Sequence, residues 1–397
     1  MEEPVISCDV SKDKSHIQGF IGLSNPVGEP FVVQHIRSEL KLIKELANSL
    51  EKRTGKKPKF VFEFTGVYHE SILAYIIQIG LEPYAISPLE SAKVRKSNIR
   101  VTKTDAKDCI NIATVYYNRN IRKYEPDKTN AKALSRYKQS LREQSNSIKC
   151  LYRLYVDLVW PCLELYFSKI DGKIITTVIK TYHHPNVLKR RTSKQIAEVL
   201  ENNGHCCYKR ALPIADKLKD YASESVSGVT ENSEYVNCLI ETLNRYIDLS
   251  NSIMRVELKL QNLLRKTTCY SLIKSIPGIG EVLAAQIAAE LGDYTRFKTS
   301  KQLVAFCGLD PTILQSGKDD GEHYSITRKG NALLRRSLYL AVAQMQKLRV
   351  ENQITKFLDG KRKNSNLSYK AAVVASCRKL VCVIFGMLKN GTCFETR

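Results

Sequence analysis

With 397 residues the chain has room for two or three domains and a sizeable core. Its 62 Lys and Arg stand against 40 Asp and Glu, and the resulting charge of +22 is spread along the whole chain, which points to a polyanionic partner, nucleic acid. No apolar run of about 18 residues occurs, the nearest (371–388) being broken by Arg378 and Lys379, so a membrane span is not expected; MEEPVISCDV at the start also lacks the basic and apolar regions of a secretory leader.

The segment Val5–Val10 reads as a strand, and 16–23 and 29–35 as two more, separated by the turn formers Asn25, Pro26 and Gly28. Leu40, Ile43, Leu46 and Leu50 share one helical face and predict a helix over 38–52. A strand over 59–64, a helix over 68–79 and a strand over 82–86 follow. Three successive strands, then helix, strand, helix and strand, predict a mixed sheet whose first part is antiparallel and whose second part is built from βαβ crossovers. This is the element order of ribonuclease-H-like folds. A basic helical pattern covers 130–167, and short helices and loops are expected over 168–230. Val236, Ile240, Leu243, Ile247, Ile253, Val256, Leu260 and Leu263 mark a long coiled-coil-like helix over 232–266. From Tyr270 onward the chain reads as a compact helical domain with a Gly-rich loop at 308–325. The fold class is therefore α/β followed by α, with domains at 1–128, 129–268 and 269–397.

The 12 cysteines contain no Cys-x-x-Cys pair, which argues against a zinc site or a disulfide framework. Cys8, Cys238, Cys307 and Cys382 sit among apolar residues and read as small core hydrophobes, reduced in a cytoplasmic protein.

Two acids interrupt apolar runs at strand ends: Asp9 in ISCDV and Glu63 in FVFEF. A lone carboxylate in such a place is costly unless paired or bound to metal. In a ribonuclease-H-like sheet the first and fourth strands are neighbours, so the two acids would meet. Asp105 and Asp108 are three residues apart and share a helix face. Four converging carboxylates call for divalent cations, Mg²⁺ or Mn²⁺, which in pairs clamp a phosphodiester during displacement. Further on, Ser316 and Gly317 are followed by Arg328, Lys329, Arg335 and Arg336. A serine that attacks phosphate needs an exposed position and cations for the developing charge; Ser325 and Thr327 are the competing hydroxyls. The segment SIPGIG, with Gly278 and Gly280, resembles the hairpin of helix-hairpin-helix modules, whose backbone amides bind phosphate.

Taken together, these residues resemble the DEDD-type transposases of insertion-sequence family one-hundred-and-ten, bridge-RNA-guided serine recombinases with a RuvC-like N-terminal domain. The matching motifs are Asp9-Val10-Ser11-Lys12, Glu63 to His69, Lys103 to Asp108, Tyr182 to Pro185, Ser275 to Gly280, Gly308 to Gly317, Ile326 to Asn331 and the tail around Arg378 and Leu388. The resemblance implies an acidic tetrad of Asp9, Glu63, Asp105 and Asp108 holding Mg²⁺, and Ser316 as nucleophile. It implies DNA donor and target sites, a structured guide RNA and a homo-oligomer, dimer or tetramer, whose active site is composed across subunits, in a prokaryotic cytoplasm and associated with the nucleoid. Lys12, Lys103, Gly278, Gly280, Arg328, Lys329, Arg335 and Arg336 are the expected nucleic-acid contacts. Cys109 stands where the family has a small Ala or Ser. Two rival readings are a RuvC-like junction resolvase, which uses the acids to activate water, and a non-catalytic nucleic-acid-binding remnant.

Overall fold

The computed structural model describes residues 3–23, 25–88, 90–92, 105–119, 121, 123–124, 130–311, 325–364 and 367–395. The chain divides into two compact units, 1–126 and 127–397.

The first unit is built on one five-stranded sheet. Its elements are β1 (Val5–Val10), β2 (Lys14–Gly22), β3 (Asn25–Gln34), α1 (Arg37–Thr54), β4 (Lys59–Glu63), α2 (His69–Gln78), β5 (Glu82–Ile86) and α3 (Asp105–Asn118). The strand order is β3-β2-β1-β4-β5. β1, β2 and β3 pair antiparallel, while β1–β4 and β4–β5 are parallel. This is the expected mixed sheet. Alternation divides the strands between two cores: Ile6, Cys8, Phe60 and Phe62 pack with α1 and α2, whereas Val5, Phe20 and Val61 pack with Ile112 and Val115 of α3.

The turn expected at Asn25, Pro26 and Gly28 is shorter than the sequence suggests. These residues lie inside β3, with Asn25 paired to Gly22 and Pro26 to Phe20. Because β3 is an edge strand, it tolerates the missing proline donor. Gly28 takes φ +68° beside a register shift, and its carbonyl accepts from Gln18 Nε2 at 2.8 Å. The turn formers thus serve a bulge.

In the second unit two long helices, α4 (Asn130–Val159) and α10 (Glu234–Leu264), pack along one another. Between them in sequence come α5 (Leu163–Tyr166), α6 (Lys173–Tyr182), α7 (Pro185–Lys189), α8 (Ser193–Asn202) and α9 (Tyr208–Glu224). These close a core around Tyr152, Trp160 and Tyr221. A second core is made by α11 (Thr268–Lys274), α12 (Glu281–Leu291), α13 (Ser300–Cys307), α14 (Ala332–Lys347), α15 (Gln353–Asn364) and α16 (Tyr369–Asn390). The stripe on α10 is split between them. Val236 and Leu243 enter the first core, and Leu260 and Leu264 the second; Leu263, expected inside, is 45% exposed.

The helix α16 is long and apolar enough to cross a membrane by length and composition. Here Val373, Cys377, Leu380 and Ile384 fill the second core and Arg378 is exposed, so it serves as a core helix. Cys8 and Cys307 are buried as expected, but Cys238 is only partly covered and Cys382 is exposed on α16.

Candidate active site

β1 and β4 run in register from Val5↔Lys59 to Cys8↔Phe62. Asp9 and Glu63 follow at one level, at the ends of neighbouring strands, and both are half-buried. Counting by twos from Val5 and Val61 places both acids on the face covered by α3. His16 of β2 is the direct partner of Asp9 and shares that face. The helix α3 begins at Asp105, and Asp108 in its opening turns is only 8% exposed. A carboxylate there is favoured by the helix dipole. Asn111 Nδ2 donates to Asp108 Oδ1 at 3.4 Å. The thiol of Cys109 donates to the His16 carbonyl at 3.3 Å, and burial pushes that thiol up to about 12, beside Asp9 and Asp108. The start of α3 therefore sits over the β1–β2 pair at the level of Asp9.

Carboxylate oxygens are the donors that Mg²⁺ and Mn²⁺ take, so the chemistry of this set fits such an ion. Among the described residues, no three His, Cys, Asp or Glu side chains are gathered closely enough to hold a metal. The side chain of Asp105 lies outside the described residues, as do Lys103 and Ser316. His16 was missed from sequence. Its place opposite Asp9 follows from the hairpin register, which the Ser11 N to Lys14 carbonyl bond of 3.0 Å sets. Lys12 is exposed in that turn.

The segment 312–324, which contains Ser316, is bounded by two zipped legs. Pro311 bridges Ile326. Thr327 N donates to the Asp310 carbonyl at 2.9 Å, its Oγ1 to Asp310 Oδ1 at 2.7 Å, and Asn331 N to the Phe306 carbonyl at 2.8 Å. The legs touch so closely that a Cβ on Gly330 would stand 2.5 Å from Gly308 N and from Phe306 O. Arg328 and Lys329 are exposed on the second leg, and Arg328 adopts φ +55°. Arg335, an expected nucleic-acid contact, donates to the Cys307 carbonyl at 2.9 Å and closes the end of α13.

Two family descriptions fit this pair of features. Residues 6–161, which hold all four acids, match the DEDD transposase model of the IS110 type. Residues 270–359, which hold Ser316 and both legs, match the model for the Transposase IS116/IS110/IS902 family. The chain belongs to the IS110 family of DEDD transposases.

Three proteins to which the chain is similar span insertion elements and a gene inverter. An insertion element IS110 protein of 43.6 kDa from Streptomyces coelicolor is 24% identical over 302 residues, 74% of this chain and 73% of that protein. The transposase for insertion sequence element IS1111A from Coxiella burnetii is 34% identical over 115 residues, 29% of this chain and 30% of the relative. A pilin gene-inverting protein from Moraxella bovis is 26% identical over 129 residues, 32% and 39% of the two chains.

In the transposase the hairpin Ser275–Gly280 joins α11 to α12. Gly278 has φ +89°, and a Cβ there would come 2.7 Å from Met345 Cγ on α14, so the tight turn and the close approach both require glycine. Behind the hairpin, Glu290 of α12 is fully buried yet well satisfied. Asn331 Nδ2 donates to its Oε2 at 2.8 Å, and Ser135 Oγ donates to its Oε1. Asn331 Oδ1 also caps α14 by accepting from Leu334 N at 3.0 Å. One carboxylate thereby ties α4, α12 and the second leg of the serine loop together. Sequence gave no sign of it, since its partners lie 155 and 41 residues away.

Proposed function

We propose that this transposase cuts and rejoins DNA through a phosphoserine link at Ser316, with Asp9, Glu63, Asp105 and Asp108 gathering Mg²⁺ or Mn²⁺ at the scissile phosphate and a structured bridge RNA selecting the sites. The observation that supports it most is that Asp9 and Glu63 end neighbouring strands on the sheet face that α3 covers, with Asp108 in the opening turns of that helix. Held by these acids, a divalent cation would offset their mutual repulsion and supply Lewis-acid polarisation of the phosphate. Ser316 Oγ gives up its proton and bonds to phosphorus while the bond to the leaving strand oxygen breaks and that oxygen takes up a proton. Arg328 and Lys329, exposed beside the loop, stabilise the charge that builds on the phosphate. The phosphoseryl link retains the energy of the broken bond, so rejoining needs no ATP. A relative that inverts a pilin gene favours rejoining over plain nuclease action.

The enzyme works as a homo-oligomer. Leu154, Met254 and Leu258, each more than half exposed on α4 and α10, offer apolar area to a second copy. The test is covalent trapping. Wild type, Ser316→Ala, Ser325→Ala and Thr327→Ala are incubated with cognate DNA and RNA, denatured and examined for protein-linked DNA. The adduct is expected in all but Ser316→Ala. An adduct in that variant, or efficient wild-type cleavage without one, overturns the serine mechanism and favours the resolvase reading.

A further inference from the structure

Beside the hairpin lies a cleft of about 740 Å³ walled by α4, α12 and α14. Lys138, Arg142 and Arg336 line it, and the N-terminus of α12 opens there with no side-chain cap at Gly280. The acids nearby are partly spent. Glu257 is held by Arg142 at 2.6 Å and lies 3.8 Å from Lys138, and Glu281 is held by Lys274 at 2.6 Å. Arg336 meets only a neutral amide among its described bonds, Gln139 Oε1 at 3.2 Å. Lys138 is 2% exposed, with its carboxylate partner beyond hydrogen-bond reach. These groups ask for an anion.

Gln286 on the same wall asks for something more. It is 8% exposed, and its Nε2 donates to Ser135 Oγ, whose own proton goes to Glu290. That sequence of donors fixes the amide: turned over, its oxygen would face a hydroxyl with no proton to give. Its Oε1 is left buried with no donor, which folded proteins seldom leave uncompensated. A ligand that brings an anion and a hydrogen-bond donor together would answer both demands. The sugar–phosphate backbone of DNA has no donor, whereas RNA carries a 2′-hydroxyl on every residue.

We propose that this cleft binds a ribose–phosphate unit of an RNA strand, the phosphate meeting Arg336, Lys138 and the α12 N-terminus and the 2′-hydroxyl donating to Gln286 Oε1. The proposal rests on reading the chain as a nucleic-acid enzyme and adds where, and by which group, RNA is told from DNA.

The test is fluorescence anisotropy of the full-length protein with a short labelled oligouridylate and its 2′-deoxy and 2′-O-methyl forms. Uracil has no exocyclic amine, and the methyl ether accepts but cannot donate. Wild type is expected to bind the ribose form about tenfold more tightly than either other form, the value of one hydrogen bond to a buried group. Gln286→Met should bring the three affinities together. Arg336→Gln should weaken all three and reduce the slope of log affinity against log salt by about 0.7. Equal wild-type affinity for the three probes overturns the proposal, and this comparison needs no variant to fold. Discrimination that survives Gln286→Met in a variant with wild-type circular dichroism overturns it as well. If no Ser316 adduct forms but discrimination holds, the catalytic reading falls and this site stands; the reverse result removes only this site.

Discussion

A carboxylate at the end of an apolar strand is stable only in company, and Asp9 has Glu63, His16 and the start of α3 around it. Asp9→Asn keeps the shape and removes a charge, so the fold should survive, with a melting temperature equal to or above that of wild type. Strand exchange should fall at least a hundredfold, as when an electrostatic group at a reacting phosphate is lost. A variant with near-wild-type recombination would show that Asp9 is structural. Lys138 gives a prediction in pH. Burial first, and Arg142 second, push its ammonium down to about 8, against the opposing pull of Glu257 and Glu290. Between that value and the ordinary lysine range the unfolded chain holds a proton that the folded chain lacks, so this residue makes stability rise with pH across that window. Anion binding favours the charged form, so oligouridylate affinity should fall as pH rises through about 8. In Lys138→Met that fall should flatten, and an unchanged pH profile would remove Lys138 from the cleft's chemistry.

At the scale of elements, the legs of the serine loop are held by backbone bonds and by the contact of Gly308 with Gly330. Gly330→Ala puts a methyl 2.5 Å from two backbone atoms, neither of which can yield as a side-chain end would. The expected cost is about 2–3 kcal/mol in urea unfolding, together with loss of the DNA adduct. Gly280→Ala is the contrast: nothing lies within 4 Å of the added methyl, and stability should change little. The elements themselves were largely readable. The short apolar runs in VISCDV and KFVFE, and the Leu40, Ile43, Leu50 spacing, are local signals that packing only reinforced. What stayed hidden depends on pairing across the chain. Asn25, Pro26 and Gly28 look like a turn because the same residue types make turns and bulges, and only the β2–β3 register separates the two. Leu263 and Leu264 are equally apolar, and the helix's rotation against α4 decides which is buried. The acids Asp9 and Glu63 could be placed from strand order, but His16 required the hairpin register and Glu290 required three remote segments to meet.

For the whole molecule, the charge of +22 predicts that nucleic-acid affinity falls steeply with salt, as each neutralised phosphate releases counterions. Titration from low to physiological salt checks this, and a flat response would show the cations to be spent within the protein. Within the second unit, α4 and α10 run antiparallel from one core to the other: Ala131 and Leu264 belong to one, Tyr152 and Val236 to the other. Between Leu243 and Val256 no residue of α10 is buried in either core, a stretch of about 20 Å at the rise of a helix. The helix pair is thus a ruler. Seven residues added to both helices at matching points would lengthen it by about 10 Å while turning one core against the other by only about 20°. A single residue added to one helix would instead rotate its buried face by about 100° and break the pairing. The spacing of the two cores is therefore a quantity that heredity can change only in whole steps, and never by small drift.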